Sequence, residues 1–362
     1  MRERVACGKK RAPGGVLSVS MPRLPIPTAL LTLVCAAAAI PAAGCGGAGK
    51  DGGGASSPNA TPPPPTADVA QAAHPTRADF PATRGRTLRQ LANSLYGGGP
   101  EVALATTDYV PGRNRVAFGL IEHDGTLIYG NTAVYVARNE RGRAIGPFLA
   151  PADSLEVRPA FRSETAAGDD VKGVYHADVE LPGPGRWLLL VVTRSGEELL
   201  GGAATVTARR DSPVPAVGDT APRVHTPTPA SVGGDVSKID TRVPPDSLHE
   251  DLADVIGRRP VALLFATPAL CRSRVCGPVV DEAVQLETAY GDRVAFIHNE
   301  VYVDNDPSKG LRPQLRAYGL TSEPWLFVID RDGRVAARLE GAFGIDEFRT
   351  AIERALSPRP SS

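Results

Sequence analysis

Cys271 and Cys276 are the residues of this 362-residue chain best suited to covalent chemistry, in the run Cys271-Arg-Ser-Arg-Val-Cys276. A thiolate is a nucleophile and a metal ligand. Two neighbouring thiols can exchange with a disulfide or hold a soft ion. On one helix, five residues turn by about 500°, which leaves the two side chains about 140° apart. A disulfide needs Cα atoms within about 7 Å. Cys271 must therefore sit in a loop folded over the start of a helix if the two are to bond. Arg272 and Arg274 add positive charge between them, and a helix N-terminus favours a thiolate.

Other patterns carry less. Gly44-x4-Gly49-Lys50 has the outline of a phosphate loop, but Asp51 stands where Ser or Thr is needed and no strand precedes it. Asp304-Asn305-Asp306 lacks the Gly and the closing Glu of a calcium loop and reads as a solvated turn. His123 and His176 are too isolated for a metal site and read as solvated or structural. No metal and no cofactor are expected.

The remaining cysteines belong to the first 45 residues. Ala29–Ile40 is an apolar run broken only by Thr32, with Arg2, Arg4, Lys9, Lys10, Arg11 and Arg23 before it. That order is a secretory signal, too short to stop in a membrane, and Met21 is an alternative start. Ala42-Ala43-Gly44-Cys45 resembles the bacterial lipobox, with Ala42 at the place of the commoner Leu. The resemblance implies that residues 1–44 are removed and that Cys45 carries a lipid. Removal also takes Cys7 and Cys35, leaving Cys271 and Cys276 as one pair in an oxidising compartment. The expected location is the cell membrane, lipid-anchored on the extracytoplasmic side.

The composition excludes other classes. With 40 basic and 40 acidic side chains the chain is no basic nucleic-acid binder, and the part after residue 44 carries 34 against 39. No apolar run reaches the roughly 18–20 residues of a spanning helix. Gly and Pro, 38 and 34 residues, make up a fifth of the chain and gather in two stretches. Residues 45–85 read as a disordered tether and 210–246 as a Pro-rich linker.

Two folded blocks remain. Residues 86–209 carry six strand candidates, at 101–106, 115–122, 132–138, 174–181, 186–193 and 203–208, with turn signals between them. Alternation such as Val116, Phe118, Leu120 points to an all-β immunoglobulin-like sandwich, with Trp187 as a core anchor. Residues 247–358 read as strand, cysteines, helix, strand, helix, two strands and helix, an α/β order.

That second order, with cysteines between the first strand and a helix, resembles the thioredoxin-like superfamily. The run Tyr318-Gly-Leu-Thr-Ser-Glu-Pro-Trp-Leu-Phe-Val-Ile-Asp-Arg-Asp-Gly-Arg-Val335 is similar to exported TlpA-like members, and Ser273-x-x-Cys276 after Pro268 resembles the [TS]-x-x-C of peroxiredoxins. The resemblance implies that Pro324 is cis, faces the cysteines and binds substrate backbone with its neighbours. Trp325 replaces the usual Thr, and its ring would narrow the groove. Two registers compete for the nucleophile. Cys271 lies at the family's distance from the strand, whereas Cys276-Gly277-Pro278-Val279 matches C-G-P-C with Val279 for the second Cys. The reading leans to Cys276 and leaves the choice open. No Arg stands before the Trp325 strand as peroxidases have it.

The expected function is thiol–disulfide exchange with extracytoplasmic protein thiols and disulfides. The alternatives are a non-catalytic thioredoxin-like binding protein with a structural disulfide, and a copper carrier resembling Sco proteins. The carrier would need a His near Pro324. Ser322-Glu323-Pro324 offers none, and His298 lies on the neighbouring strand.

Overall fold

A computed structural model describes residues 61–166, 171–271 and 273–357. The signal segment 1–44, Cys45 and the first part of the expected tether lie outside the described residues. From residue 61 the tether expectation is corrected. Helix α1 (Ala67–Ala72) buries Val69 and Ala72 in an apolar core, and α2 (Leu88–Ala92) follows a single turn at 77–79. Phe80 is buried beside Leu88 and Leu91 of α2. Three or four apolar side chains at the right places anchored a stretch whose composition alone reads as linker.

Eight strands follow: β1 (Glu101–Leu104), β2 (Gly112–Ile121), β3 (Thr132–Ala137), β4 (Ile145–Ala150), β5 (Ala152–Ser154), β6 (Gly173–Leu181), β7 (Gly185–Ser195) and β8 (Glu198–Ala208). They form two antiparallel sheets, ordered β1-β2-β6-β5 and β4-β3-β7-β8. Alternate residues of each sheet meet in one core, Val116, Phe118, Ala177 and Val179 from the first and Val134, Val136, Leu189 and Val191 from the second. Trp187 lies in this core, its indole N–H donating to the Gly183 carbonyl at 2.8 Å. Strand β4 was not readable because Gly146-Pro147 looks like a turn. It is an edge strand, where a missing N–H breaks no ladder.

The C-terminal half contains α3 (Leu252–Val255), β9 (Val261–Phe265), α4 (Cys276–Tyr290), β10 (Ala295–Asn299), α5 (Pro313–Ala317), β11 (Trp325–Ile329), β12 (Val335–Glu340) and α6 (Ile345–Leu356). Its sheet runs β10-β9-β11-β12. The first pair is parallel, joined through α4, and the others are antiparallel. Both faces are covered, which is why β9 is apolar at every position. Ala262 and Leu264 face α4 and α6. Val261, Leu263 and Phe265 face the other core with Leu252 and Leu315.

The Pro-rich segment 210–246 connects the halves and is itself packed. Val214 and Ala221 are buried against the second face of this sheet, and Gly218 and Ala221 donate to carbonyls of the β12 hairpin. The halves are also joined directly. Arg115 of β2 makes a two-pronged ion pair with Glu347 of α6, at 2.6 and 2.7 Å, and donates to the Glu340 and Ala342 carbonyls. Glu340 accepts from the Thr107 hydroxyl and the Asp108 amide.

Candidate active site

The register of the C-terminal sheet builds the cysteine corner. Trp325 pairs with Phe265, so the residue before β11 stands beside the residue after β9. That residue is Pro324, and the Glu323–Pro324 bond is cis. The chain leaving β9 passes Ala266 and Thr267, turns through Cys271, and enters α4 at Cys276. Arg274 has a φ of 58°. This left-handed residue turns the loop back, which is how a C-x4-C spacing brings its two sulfurs together. A non-glycine residue in that region costs on the order of 1 kcal/mol or more.

Both cysteines are free thiols and their environments differ. Cys276 has no exposed surface and lies in the core between sheet and helix. Burial pushes its pKa well up, and the neighbouring Cys271 and the Glu323 carboxylate push the same way. Cys271 is partly exposed. Its pKa falls to about 6, chiefly because the Cys276 thiol donates to its sulfur. The Ser273 hydroxyl, 3.2 Å away, and the backbone amides of Cys276 and Ser273 donate as well. All four of these donors come from the start of α4 and the turn before it, where free N–H groups stabilise an anion. The helix N-terminus thus serves Cys271, the thiol above it, and Cys276, toward which the sequence reading leans, is the buried one. Arg272 lies outside the described residues.

Trp325 also needs correction. Its ring lies on the opposite sheet face from Cys276, stacked on Phe327 at 5.7 Å and donating from Nε1 to the Ser322 hydroxyl at 3.0 Å. It is a core residue and narrows no groove beside the cysteines. The alternation of β11 decides this, since Pro324 and Trp325 must point to different sides.

The sandwich half borders the corner. A Cβ on Gly277 would lie 3.1 Å from the Ala166 Cβ. On α4, Asp281 accepts from the Ser163 amide and hydroxyl, and the Gln285 side chain accepts from the Arg158 amide at 2.8 Å. The polar side of α4, which a lone α/β domain would turn to water, is buried under this loop.

Comparison with known proteins adds little. No family model matches the chain, and no curated protein matches it. Among solved structures, a putative thiol:disulfide interchange protein DsbE from Chlorobium tepidum is 19% identical over 40% of this chain and 99% of its own, with a TM-score of 0.29. A thiol:disulfide interchange protein of the thioredoxin family from Chlorobium tepidum TLS is 21% identical over 38% of this chain and 100% of its own, with a TM-score of 0.25. Likenesses of this size carry no weight for function, which must rest on the geometry of the cysteine corner.

His298 is not a third ligand for the two thiols. Its Nδ1 is 2.8 Å from Asp246 Oδ2 and its Nε2 is 3.2 Å from the Ala266 carbonyl. Among the described residues, no cluster of His, Cys, Asp or Glu with metal-ligating spacing includes a cysteine. Asp304 and Asp306 serve a turn, holding the Lys309 ammonium at 2.9 Å and the Ser308 amide at 2.9 Å. His123 is exposed, and His176 sits between the halves, 3.7 Å from Glu347. Ser273 and Glu323 are the site residues that the sequence did not single out by role. Their nearness to Cys271 and to Pro324 was the available signal.

Proposed function

We propose that this protein is an extracytoplasmic thiol–disulfide oxidoreductase, lipid-anchored at Cys45, with an immunoglobulin-like sandwich joined to a thioredoxin-like domain. The observation that carries the redox reading is the unequal thiol pair: an accessible Cys271 with a pKa of about 6 in hydrogen-bond reach of a buried, protonated Cys276. A structural disulfide needs no such asymmetry. The strand orders β1-β2-β6-β5 and β4-β3-β7-β8 support the sandwich assignment, since they follow the lettered order ABED against a C-F-G sheet with one added strand. The parallel β9-α4-β10 unit, the antiparallel β11-β12 hairpin and cis Pro324 support the thioredoxin-like one.

In the proposed reaction the Cys271 thiolate attacks one sulfur of a partner disulfide and expels the other as a thiolate. Cys271 is then neutral, so its charge no longer raises the Cys276 pKa. Cys276 gives up its proton, attacks the Cys271 sulfur of the mixed disulfide, and releases the second partner thiol. The partner gains two electrons, one proton from Cys276 and one from solvent, and the pair becomes a disulfide. The reverse direction uses the same steps. Pro324 and its neighbours, beside the cysteines, would align the partner strand.

The test is a redox titration of the full chain, following free thiols at Cys271 and Cys276. A reversible two-electron midpoint above roughly −300 mV is expected, because structural disulfides lie below that. A Cys276→Ser variant should trap a mixed disulfide through Cys271. A pair that resists reduction, or two thiols that never join, would leave a binding module with no exchange activity.

A further inference from the structure

Away from the cysteines, four titratable side chains converge in the buried interior between the Pro-rich segment and the edge strand β10. Asp240, Asp246 and His298 place ligand atoms within 4.8 Å of one another. His249 faces the same carboxylates, its Nε2 3.3 Å from Asp240 Oδ2 and 3.4 Å from Asp246 Oδ1. The side chains of Asp240, Asp246 and His298 have no exposed surface, and that of His249 has 3%. Yet neither ring nitrogen of His249 has a hydrogen-bond partner. It is within reach of two carboxylate oxygens and aligned for a hydrogen bond with neither. A buried, unpaired imidazole aimed at two buried carboxylates is costly without a shared counter-charge.

We propose that this cluster is a binding site for a divalent first-row transition ion of the zinc type, held by Asp240, Asp246 and His298, with His249 Nε2 turning in to supply the fourth donor. Tetrahedral coordination at zinc-like bond lengths sets ligand atoms about 3.3 Å apart. His298 Nδ1 lies 2.8 Å from Asp246 Oδ2 and 3.9 Å from Asp240 Oδ1, and His249 Nε2 faces the other oxygen of each carboxylate at 3.4 and 3.3 Å, so His249 must turn inward to share a centre with His298. The two imidazole rings are 6.1 Å apart between centroids and tilted by 31° to one another. Two carboxylates and two neutral imidazoles balance a charge of +2. The ion takes the place of the proton now between His298 and Asp246.

The surroundings are those of a built ligand set. The non-ligating His298 Nε2 faces the Ala266 carbonyl, the kind of outer partner that fixes a ligating imidazole. Asp240 is oriented by the Arg242 and Asp246 amides, both at 2.7 Å, and Asp246 by the Leu248 amide at 2.8 Å. The nearest guanidinium, Arg242, is committed to Asp281 through Nε at 2.9 Å and to the Pro244 and Phe161 carbonyls. With no open position for substrate, the ion would be structural. It would clamp residues 240–249 to β10, and Thr241 would in turn support the turn before Cys271 through the Ala269 amide.

The site is independent of the redox reading, and its test removes the thiols. The full chain carrying Cys271→Ser and Cys276→Ser is stripped with a chelator and titrated with Co2+ and with Zn2+. Expected are about one equivalent bound, the visible d–d bands of four-coordinate Co2+, and a melting temperature that rises with Zn2+ as mass action requires. His249→Gln and Asp246→Asn should each weaken Co2+ binding by about tenfold or more. Circular dichroism would establish that they fold, and His249→Gln, the milder change, keeps the test decisive if Asp246→Asn does not. No binding by the folded parent, or binding that neither variant alters, would overturn the proposal.

Discussion

At Cys271 a single negative charge is held by donors from two residues, and the donors decide its chemistry. The Cys276 thiol and amide and the Ser273 hydroxyl and amide hold its pKa at about 6. The rate of alkylation at Cys271 should therefore rise with pH around a midpoint near 6. Cys276→Ala should move that midpoint upward, and Ser273→Ala should do so less. Stopped alkylation of the full chain across the pH range checks both. An unfolded thiol titrates near about 8.5. Folding therefore lowers this pKa, and the stability it contributes is complete above about 8.5 and lost as pH falls through 6. Under reductant, urea unfolding should show the parent gaining on Cys271→Ser between those values.

Helix α4 links that residue chemistry to the packing around it. From Cys276 to Ala283 every side chain is buried, including Asp281 and Glu282. Asp281 is paired with Arg242 and Ser163. Glu282 has no partner for either carboxylate oxygen. Burial pushes its pKa well up, with Asp153 and other acids adding to the effect. Folding holds the proton, so this group costs stability as pH rises above the ordinary carboxylate range. Glu282→Met, of similar volume, should stabilise the protein by about 1–3 kcal/mol near neutral pH, with a smaller gain at pH near 4.5. Urea midpoints at the two values measure it. The sequence made α4 legible through Val280, Ala283, Val284 and Leu286. It gave no sign that the polar face would be buried too, because the covering residues lie more than a hundred positions earlier.

Across the whole of residues 61–357, the two halves meet through side chains that neither could satisfy alone. Arg115 and Glu347 keep 12% and 14% of their side-chain surface exposed. Burial pushes the Glu347 pKa up, and Arg115 outweighs it and holds the carboxyl below its ordinary range. Arg115→Ala leaves that carboxylate buried without its partner and also frees two carbonyls. The expected cost is about 3 kcal/mol or more. A single unfolding transition in the parent should separate into two in the variant, read by following Trp187 in the sandwich and Trp325 in the C-terminal half. One unchanged transition would mean that the halves are not coupled through this pair.

Local patterns determined much of this protein. Alternation gave most of the sandwich strands, helical spacing gave α4 and α6, and a strand–cysteine–helix order pointed to the corner where the thiols lie. Such signals survive in sequence because a strand or helix writes its buried face into residues two, three or four apart. Only tertiary structure decided the roles within the corner. Which cysteine is exposed follows from a left-handed turn at Arg274. Which way Trp325 points follows from its register against Phe265. The convergence of Asp240 and Asp246 with His298 brings together residues more than fifty positions apart. Composition reads 61–85 and 210–246 as connecting chain. A few apolar and acidic side chains in them find partners that only the folded sheets supply.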